Sequence, residues 1–573
     1  MRLNSLLLTD FYKATHLLQY PEGITHLTSY LTPRWSRLSG INEVVVFGVA
    51  NFVNKYLFRD FHLNFFEKNF SVIESEFKNV LINSLGYSDD LVDKTLVKVN
   101  DLHRLGYLPI EVNGLPEGTL CPMGVPILEI RTTHPEFFWV GQVIESVLSC
   151  SIWHPMISAT IAHEYRKIAN WAYGITGCNN PETAMSDFSM RGQESLESAI
   201  GSSAAWLTSF TNSSTIPAKT YIEENYDESF GGKNFIKGKV STEHSVMCSD
   251  FAIYGNEEET IRRLMTKVYP ETSFTMVLDS NDYWNVIENI VPRLKKEIAE
   301  HKGIIGFRDD SAEDPVESLC GIRKIPFYEN FSPSLLNTIY CKDTTNDNKK
   351  RPICYFNSKN SYIVSVDENM NVQIEERERT AKEKGTVECL WEIFKTSSNN
   401  SHNSCGFKIL ENVIAVYGDS ITIPRAKEVY KRLIEKGFAA NCVNLGVGSF
   451  SFQCLEEDGK LQPFTRDTFS IAIKATYGRK KNETGGEDGF NIYKNSPNKK
   501  SQKGLCLVCN SNNSPLLPSQ IVVIEECSEE MKRRSKPVDL YQPYFKNGKV
   551  FKNSFKNVRD ILSKERKEET WGE

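Results

Sequence analysis

No run of about 18 consecutive apolar residues occurs in this 573-residue chain, so a membrane-spanning helix is not expected. Basic residues are not in excess either: 67 Lys and Arg stand against 73 Asp and Glu, a net charge of −6. A broad polyanion-binding surface is therefore not expected, nucleic acid is not an expected partner, and any phosphate recognition must be local. The 14 cysteines lack paired spacing, which argues against a disulfide framework. Cys506-Leu507-Val508-Cys509 is a lone C-x-x-C without the second ligand pair that zinc would need. The leucine run Leu6–Leu8 is broken at once by Asp10 and Lys13, too short for a signal peptide, so the expected location is the cytoplasm.

What is present is an ordinary globular composition, 40% hydrophobic and 24% charged, long enough for several cores. Residues 110–130 read as strand-rich around a Pro116-Glu117-Gly118 turn, and 137–175 as helical, with Trp139, Val143, Ile144 and Val147 forming a stripe. From about 180 onward, apolar runs end in an acid or a glycine, and two of them lead into helical sequence. Phe274–Leu278 ends at Asp279 before a helix near Tyr283–Glu300. Ile304–Phe307 ends at Arg308, Asp309 and Asp310. Val413–Tyr417 ends at Gly418 and Asp419 before a helix from Pro424 to Lys436 that Gly437 stops. Cys442–Leu445 ends at Gly446-Val447-Gly448-Ser449. Strand–loop–helix repetition predicts a parallel α/β sheet or barrel, and the polar groups at its carboxyl ends converge on one face. A polar run, Lys342–Arg351, and a hairpin at Tyr362–Glu376 turning at Asp367–Asn369 interrupt the repetition. This stretch, about 322–384, reads as a polar insertion on a barrel loop.

Asp279, Asp310 and Asp419 each end a predicted strand. Each can be a helix N-cap or a ligand for ribose and magnesium. Gly446–Ser449 can be a tight turn or a phosphate loop whose backbone N–H groups are unobstructed. His244, in Ser241-Thr242-Glu243-His244-Ser245, can be a structural donor or a catalyst; read as a strand, this segment turns Glu243 to the opposite face. Phe188 and Arg191 can be core and surface, or can sandwich a flat ring.

Several motifs then fall in one order: Thr9-Asp10-Phe11-Tyr12-Lys13-Ala14-Thr15-His16, Asp187–Gly192, Glu243-His244-Ser245, Leu278-Asp279-Ser280, Phe307–Ser311, Tyr417-Gly418-Asp419-Ser420, Gly446–Ser449 and Thr465-Arg466-Asp467. On these motifs the chain resembles the nicotinamide phosphoribosyltransferases nearly end to end. Val416–Thr422, Leu445–Ser449 and Lys474–Gly478 are closest to the bacterial and phage branch.

The resemblance implies an irregular α/β barrel, a second α+β domain built from both chain ends, and a homodimer with shared active sites. The organisation that follows is 1–150 as an N-terminal α+β region, 151–480 as the catalytic barrel with its insertion, and 481–573 returning to the α+β domain. It also implies formation of nicotinamide mononucleotide and pyrophosphate from nicotinamide and phosphoribosyl pyrophosphate, with Mg2+ accompanying the latter and ATP as a coupled phosphoryl donor. By the same resemblance, Phe188 is one face of a pyridine clamp and Tyr12 of the partner subunit the other, with Asp10 and Arg191 at the base. Arg308 holds base and ribose, Asp310 is a ribose or catalytic carboxylate, and Gly418 and Asp419 bind ribose. Gly448 and Ser449 form the 5′-phosphate loop. Arg34, Arg466 and Lys474 take pyrophosphate or ATP phosphates, and His244 is the residue phosphorylated from ATP.

Three positions depart from the family pattern. Ser214 stands where an aspartate accepts from the carboxamide N–H, Ala472 where a phosphate-binding serine is expected, and Asp309 and Ala312 where proline and glycine flank the Arg308 motif. Two rival readings remain: a nicotinate phosphoribosyltransferase, and an inactive pyridine-nucleotide-binding paralogue.

Overall fold

The computed structural model describes residues 3–227, 236–340, 351–358, 360–395, 401–418, 420–457, 460–494, 501–511 and 520–565. Six strands form one sheet in the spatial order Asn212–Ser213, Met185–Asp187, Val443–Val447, Val413–Tyr417, Ile305–Asp309, Phe274–Val277, and every pairing in it is parallel. The central strands are buried along nearly their whole length, as expected when helices cover a parallel sheet. The segment 237–242 runs between the two edges. It makes parallel bridges from Lys237 to Asn212 and from Ser241 to Thr275, and so curls the sheet into an irregular barrel.

The helix Ile423–Glu435 shows how the sequence builds this layer. Ala426, Val429, Tyr430 and Leu433 face inward at helical spacing, and Gly437, at φ 76°, supplies the left-handed residue just beyond its end. The long helix Glu145–Thr176 keeps Pro155 inside it, and Pro155 packs where Gly48 and Gly201 leave room. The helix expected over Tyr283–Glu300 is broken, its last piece Lys295–Glu300 starting after Leu294. Pro292 cannot donate to the helical ladder.

A second sheet is antiparallel and seven-stranded, in the order Glu487–Asn491, Ala472–Lys481, Ile24–Thr32, Leu128–Thr132, Ile110–Gly114, Gln542–Lys546, Lys549–Val550. Strands from both ends of the chain therefore interleave. A buried cluster ties them: Lys532 and the Tyr30 hydroxyl both donate to the Glu129 carboxylate, whose residue is 1% exposed.

The insertion is more than a polar loop. Its described residues make a four-stranded sheet, Arg323–Lys324, Arg351–Asn357, Ser361–Val366 and Val372–Glu376. A separate apolar cluster of Ile325, Leu336, Ile353, Cys354, Phe356, Val364 and Val366 lies beneath it. The polar run drew the sequence reading toward the surface, while the alternating apolar positions of the hairpin carry the core. Residues 341–350 of that run lie outside the described residues. The two ends of the insertion meet where the Ile322 N–H donates to the Glu383 carbonyl at 3.0 Å.

Candidate active site

The carboxyl ends of the barrel strands open on a cavity of about 680 Å³. Phe188, Arg191, Ser214, His244, Arg308 and Asp310 line it together. These six come from four separate stretches of sequence, and the strand ends bring them to one mouth.

Arg308 is the best-held of them. Its Nε donates to Asp310 Oδ1 at 2.7 Å and its Nη2 lies 2.7 Å from Oδ2, a two-pronged pair. The guanidinium lies over the Phe188 ring, 5.2 Å from its centroid. Arg191, in the short turn Met190–Gly192, lines the same cavity. Asp310 Oδ1 also accepts from the Gly418 N–H at 3.2 Å. Two glycines make this packing possible. A Cβ on Gly418 would stand 2.2 Å from Arg308 Nε, and one on Gly446 would stand 2.4 Å from the Phe188 ring. Gly192 plays the same part for the loop, since its Cβ would meet Ser449 Oγ at 2.2 Å. Gly448 follows the strand Val443–Val447, and Ser449 opens the next turn. Asp419 lies outside the described residues.

His244 is the first residue of the helix His244–Tyr254, with Glu243 as its N-cap. Both line the cavity, so the alternation assumed for a strand does not apply: extended backbone ends at Glu243 and the helix begins. His244 Nε2 is 3.1 Å from Asp279 Oδ1, and Ser311 donates to the other oxygen of Asp279. That occupies Nε2 and leaves Nδ1 facing outward from the pair.

Asp187, whose motif assigns it no role, organises the floor. It is fully buried and accepts from the Ser189 N–H at 2.9 Å, Ser189 Oγ at 2.6 Å and Ser213 Oγ at 2.7 Å. Ser214 Oγ donates to the Asp187 carbonyl at 3.0 Å, leaving its lone pairs for a ligand. Lys237 and Lys239 also line the cavity and were missed. The period-two run Lys237, Lys239, Ser241 was the signal available for them.

Among the described candidates, Asp279, Gly418, Gly448 and Ser449 are not part of the lining of this cavity, nor are the five that follow. Ser146 donates to the Asp10 carboxylate. Tyr12 is 58% exposed, edge-on to His16 at 5.3 Å. Lys474 Nζ lies 3.9 Å from Glu145, which also pairs with Lys13 at 2.7 Å. Arg34 donates from Nε to the Ser470 carbonyl and from Nη2 to Ser470 Oγ, both at 3.0 Å. Arg466 is half exposed beside Asp467 at 3.3 Å. Asp10, Tyr12, Lys13, Glu145 and Lys474 thus share one outer patch.

Two family models match the chain: the N-terminal domain of nicotinamide phosphoribosyltransferase over residues 4–99, and the nicotinate phosphoribosyltransferase family over residues 183–515. A solved nicotinate-nucleotide pyrophosphorylase from Pyrococcus furiosus overlays with a TM-score of 0.51 at 11% identity, covering 100% of this chain and 97% of that one. The fold is thus that of the type II phosphoribosyltransferases. Among curated proteins, a nicotinamide phosphoribosyltransferase of Acinetobacter baylyi is 32% identical over 88% of this chain and 88% of its own length. One from Mycoplasma pneumoniae is 27% identical over 84% of this chain and 90% of its own. The chain belongs to the nicotinamide phosphoribosyltransferase family.

Proposed function

We propose that this chain transfers the phosphoribosyl group of phosphoribosyl pyrophosphate, taken as its magnesium complex, to the ring nitrogen of nicotinamide. The observation that carries the reading is the Arg308–Asp310 pair laid over Phe188 at the mouth of a cavity that glycines keep open. Phe188 offers a flat apolar surface to the pyridine ring. Arg308 has guanidinium edges left for the carboxamide oxygen and the ribose, and Ser214 Oγ is placed to accept from the carboxamide N–H. The ring nitrogen's lone pair forms the new bond to ribose C1 while the C1–O bond breaks and its electron pair leaves with pyrophosphate. Positive charge grows on the ribose, where the fixed Asp310 carboxylate stabilises it. The Gly448–Ser449 turn holds the 5′-phosphate through backbone N–H groups.

Asp10, Tyr12 and Lys474 act across a homodimer, their outer patch completing the mouth of a second copy, and Arg34 and Arg466 take pyrophosphate or ATP phosphates. Phe11 and Tyr12, 59% and 58% exposed, give that patch an uncovered apolar surface. ATP phosphorylates His244 on Nδ1, the nitrogen not engaged by Asp279, at a helix N-terminus that favours the added charge. No helix among the described residues is long and apolar enough to cross a membrane, and the described cysteines are free thiols, which supports a cytoplasmic location.

The test incubates the protein with phosphoribosyl pyrophosphate, Mg2+ and nicotinamide, with and without ATP. Nicotinamide mononucleotide and pyrophosphate in equal amounts are expected, and no mononucleotide would refute the reading. In His244→Ala the rate with ATP is expected to equal the rate without it. A surviving ATP stimulation would remove the phosphohistidine from the scheme.

A further inference from the structure

The segment 237–242 contributes more than closure of the barrel. Lys237 bridges Asn212 in parallel, and Lys239 and Ser214 each lie two residues further along their own stretch of chain. Residues that pair on neighbouring strands point to the same face, and so do positions two apart. Asn212, Ser214, Lys237 and Lys239 accordingly all line the cavity that holds Phe188 and Arg308. Lys239 is itself exposed to this bore, and desolvation by the barrel around it lowers its ammonium to about 7, with no opposing charge. Among the described residues, neither the Lys237 nor the Lys239 amine has an ion-pair or hydrogen-bond partner.

The other charges facing the cavity do not supply one. Asp310 is spent on Arg308, Glu243 accepts from Ser245, and His244 leans on Asp279. Arg191 and Lys237 add positive charge. The same cavity therefore holds a neutral hydroxyl at 214 and, among the described residues, an unpartnered amine at 239. A pyridine carboxamide needs no such cation, whereas a pyridine carboxylate does.

We propose that Lys239 is a specificity-determining residue whose ammonium pairs with the carboxylate of nicotinate, so that this site accepts the pyridine acid as well as the amide. The inference rests on the phosphoribosyl-transfer reading for its site. Ser214 removes the repulsion that an aspartate would exert on nicotinate, and Lys239 adds the attraction. Because the free amine titrates near neutrality, nicotinate use falls as pH rises through about 7, while nicotinamide use is indifferent to this group.

The test measures kcat/KM for both bases from pH 6 to 9 in the wild type, Lys239→Met and Lys239→Arg, together with equilibrium dialysis of radiolabelled nicotinate. In Lys239→Met the nicotinate-to-nicotinamide ratio is expected to fall about tenfold or more, with nicotinate binding weakened alike. Lys239→Arg keeps nicotinate binding and loses its decline above pH 7, because guanidinium stays charged. An unchanged ratio in Lys239→Met would overturn the proposal. So would a loss shared equally by both bases through the KM of phosphoribosyl pyrophosphate, which would assign Lys239 to phosphate. Absence of nicotinamide turnover in the wild type would refute the transferase reading instead, and the dialysis would still decide whether Lys239 holds a carboxylate.

Discussion

Arg308 and Arg379 are each held by two charge-assisted bonds to one carboxylate, and each lies over an aromatic ring. Arg308 meets Asp310 at 2.7 Å twice, over Phe188 at 5.2 Å. Arg379 meets Glu388 at 2.7 Å twice, over Tyr355 at 3.9 Å. The surroundings differ. Glu388 also receives Lys436 Nζ at 3.4 Å, and that lysine donates to the Cys320 carbonyl and to the Lys384 carbonyl, so the second cluster is closed on itself. Asp310 takes one further bond, from the Gly418 N–H, and the rest of its pair opens on the cavity. A fork of arginine and carboxylate on an aromatic ring is therefore not a site in itself. Space beside it makes it one, and here Gly418 and Gly446 make the space.

Removing each arginine in turn separates the two clusters. Arg308→Ala should lower kcat/KM for mononucleotide synthesis about 1,000-fold, since a preorganised donor is lost where charge develops. Its thermal stability should change little, because water reaches the abandoned Asp310. Arg379→Ala should cost about 3 kcal/mol of stability by leaving Glu388 under-paired in a closed environment. Its kcat/KM per folded molecule should stay within about twofold. Calorimetry and steady-state kinetics on both variants decide it, and equal losses of activity would erase the distinction.

Glycines on the two sides refine it. A Cβ at Gly418 would lie 2.2 to 2.4 Å from Arg308 Nε, Nη2 and Cζ, so Gly418→Ala must displace the guanidinium. A shift of about 1 Å predicts roughly a hundredfold loss in kcat/KM with the fold retained. Gly385 sits at φ 82°, and its Cβ would lie 2.2 Å from the Gly321 backbone nitrogen. Gly385→Ala should therefore lower Tm and leave the kinetics of the folded fraction alone. Wild-type kinetics in Gly418→Ala would show that Arg308 can move without cost.

The sequence made the barrel legible because its strands end in chemistry: Arg308 and Asp310 close one apolar run, Gly418 another, Gly446–Ser449 a third. Periodicity and punctuation of that kind survive in a single chain. The antiparallel sheet was not legible from local pattern, since Ile24–Thr32 finds its neighbours at Ala472–Lys481 and Leu128–Thr132, and pairing at such separation leaves no local trace. Lys239 was missed because it belongs to a short closing segment held by isolated bridges. The insertion's core was hidden by the polarity of Lys342–Arg351 beside it. The helix start at His244 was masked by the extended residues before it, so its relation to Glu243 was read with the wrong period.

Glu117 offers the cleanest contrast, a buried carboxylate whose hydrogen-bond donors are all neutral. It lies in the turn before Gly118, 2% exposed. Its oxygens accept from the Val49 N–H at 2.7 Å, the Ala50 N–H at 3.3 Å and the Tyr226 hydroxyl at 2.8 Å. Neutral donors offset burial incompletely, and burial pushes this carboxyl from its ordinary 4.5 up to about 7. The folded state therefore holds the proton more tightly than the unfolded chain does. The contribution of Glu117 to stability is most favourable below about pH 4.5, falls as pH rises toward 7, and is flat above. At about 1.4 kcal/mol per pH unit between the two values, the penalty at pH 8 is about 3 kcal/mol at most. Glu117→Gln keeps the shape and an acceptor oxygen but cannot ionise. Denaturant melts at pH 5, 6, 7 and 8 should show the variant gaining on the wild type across this range, with the gap constant above pH 7. A gap that does not change with pH would mean that Glu117 ionises as an ordinary carboxyl, and that the neutral donors at Val49, Ala50 and Tyr226 hold a buried charge as well as the arginines do.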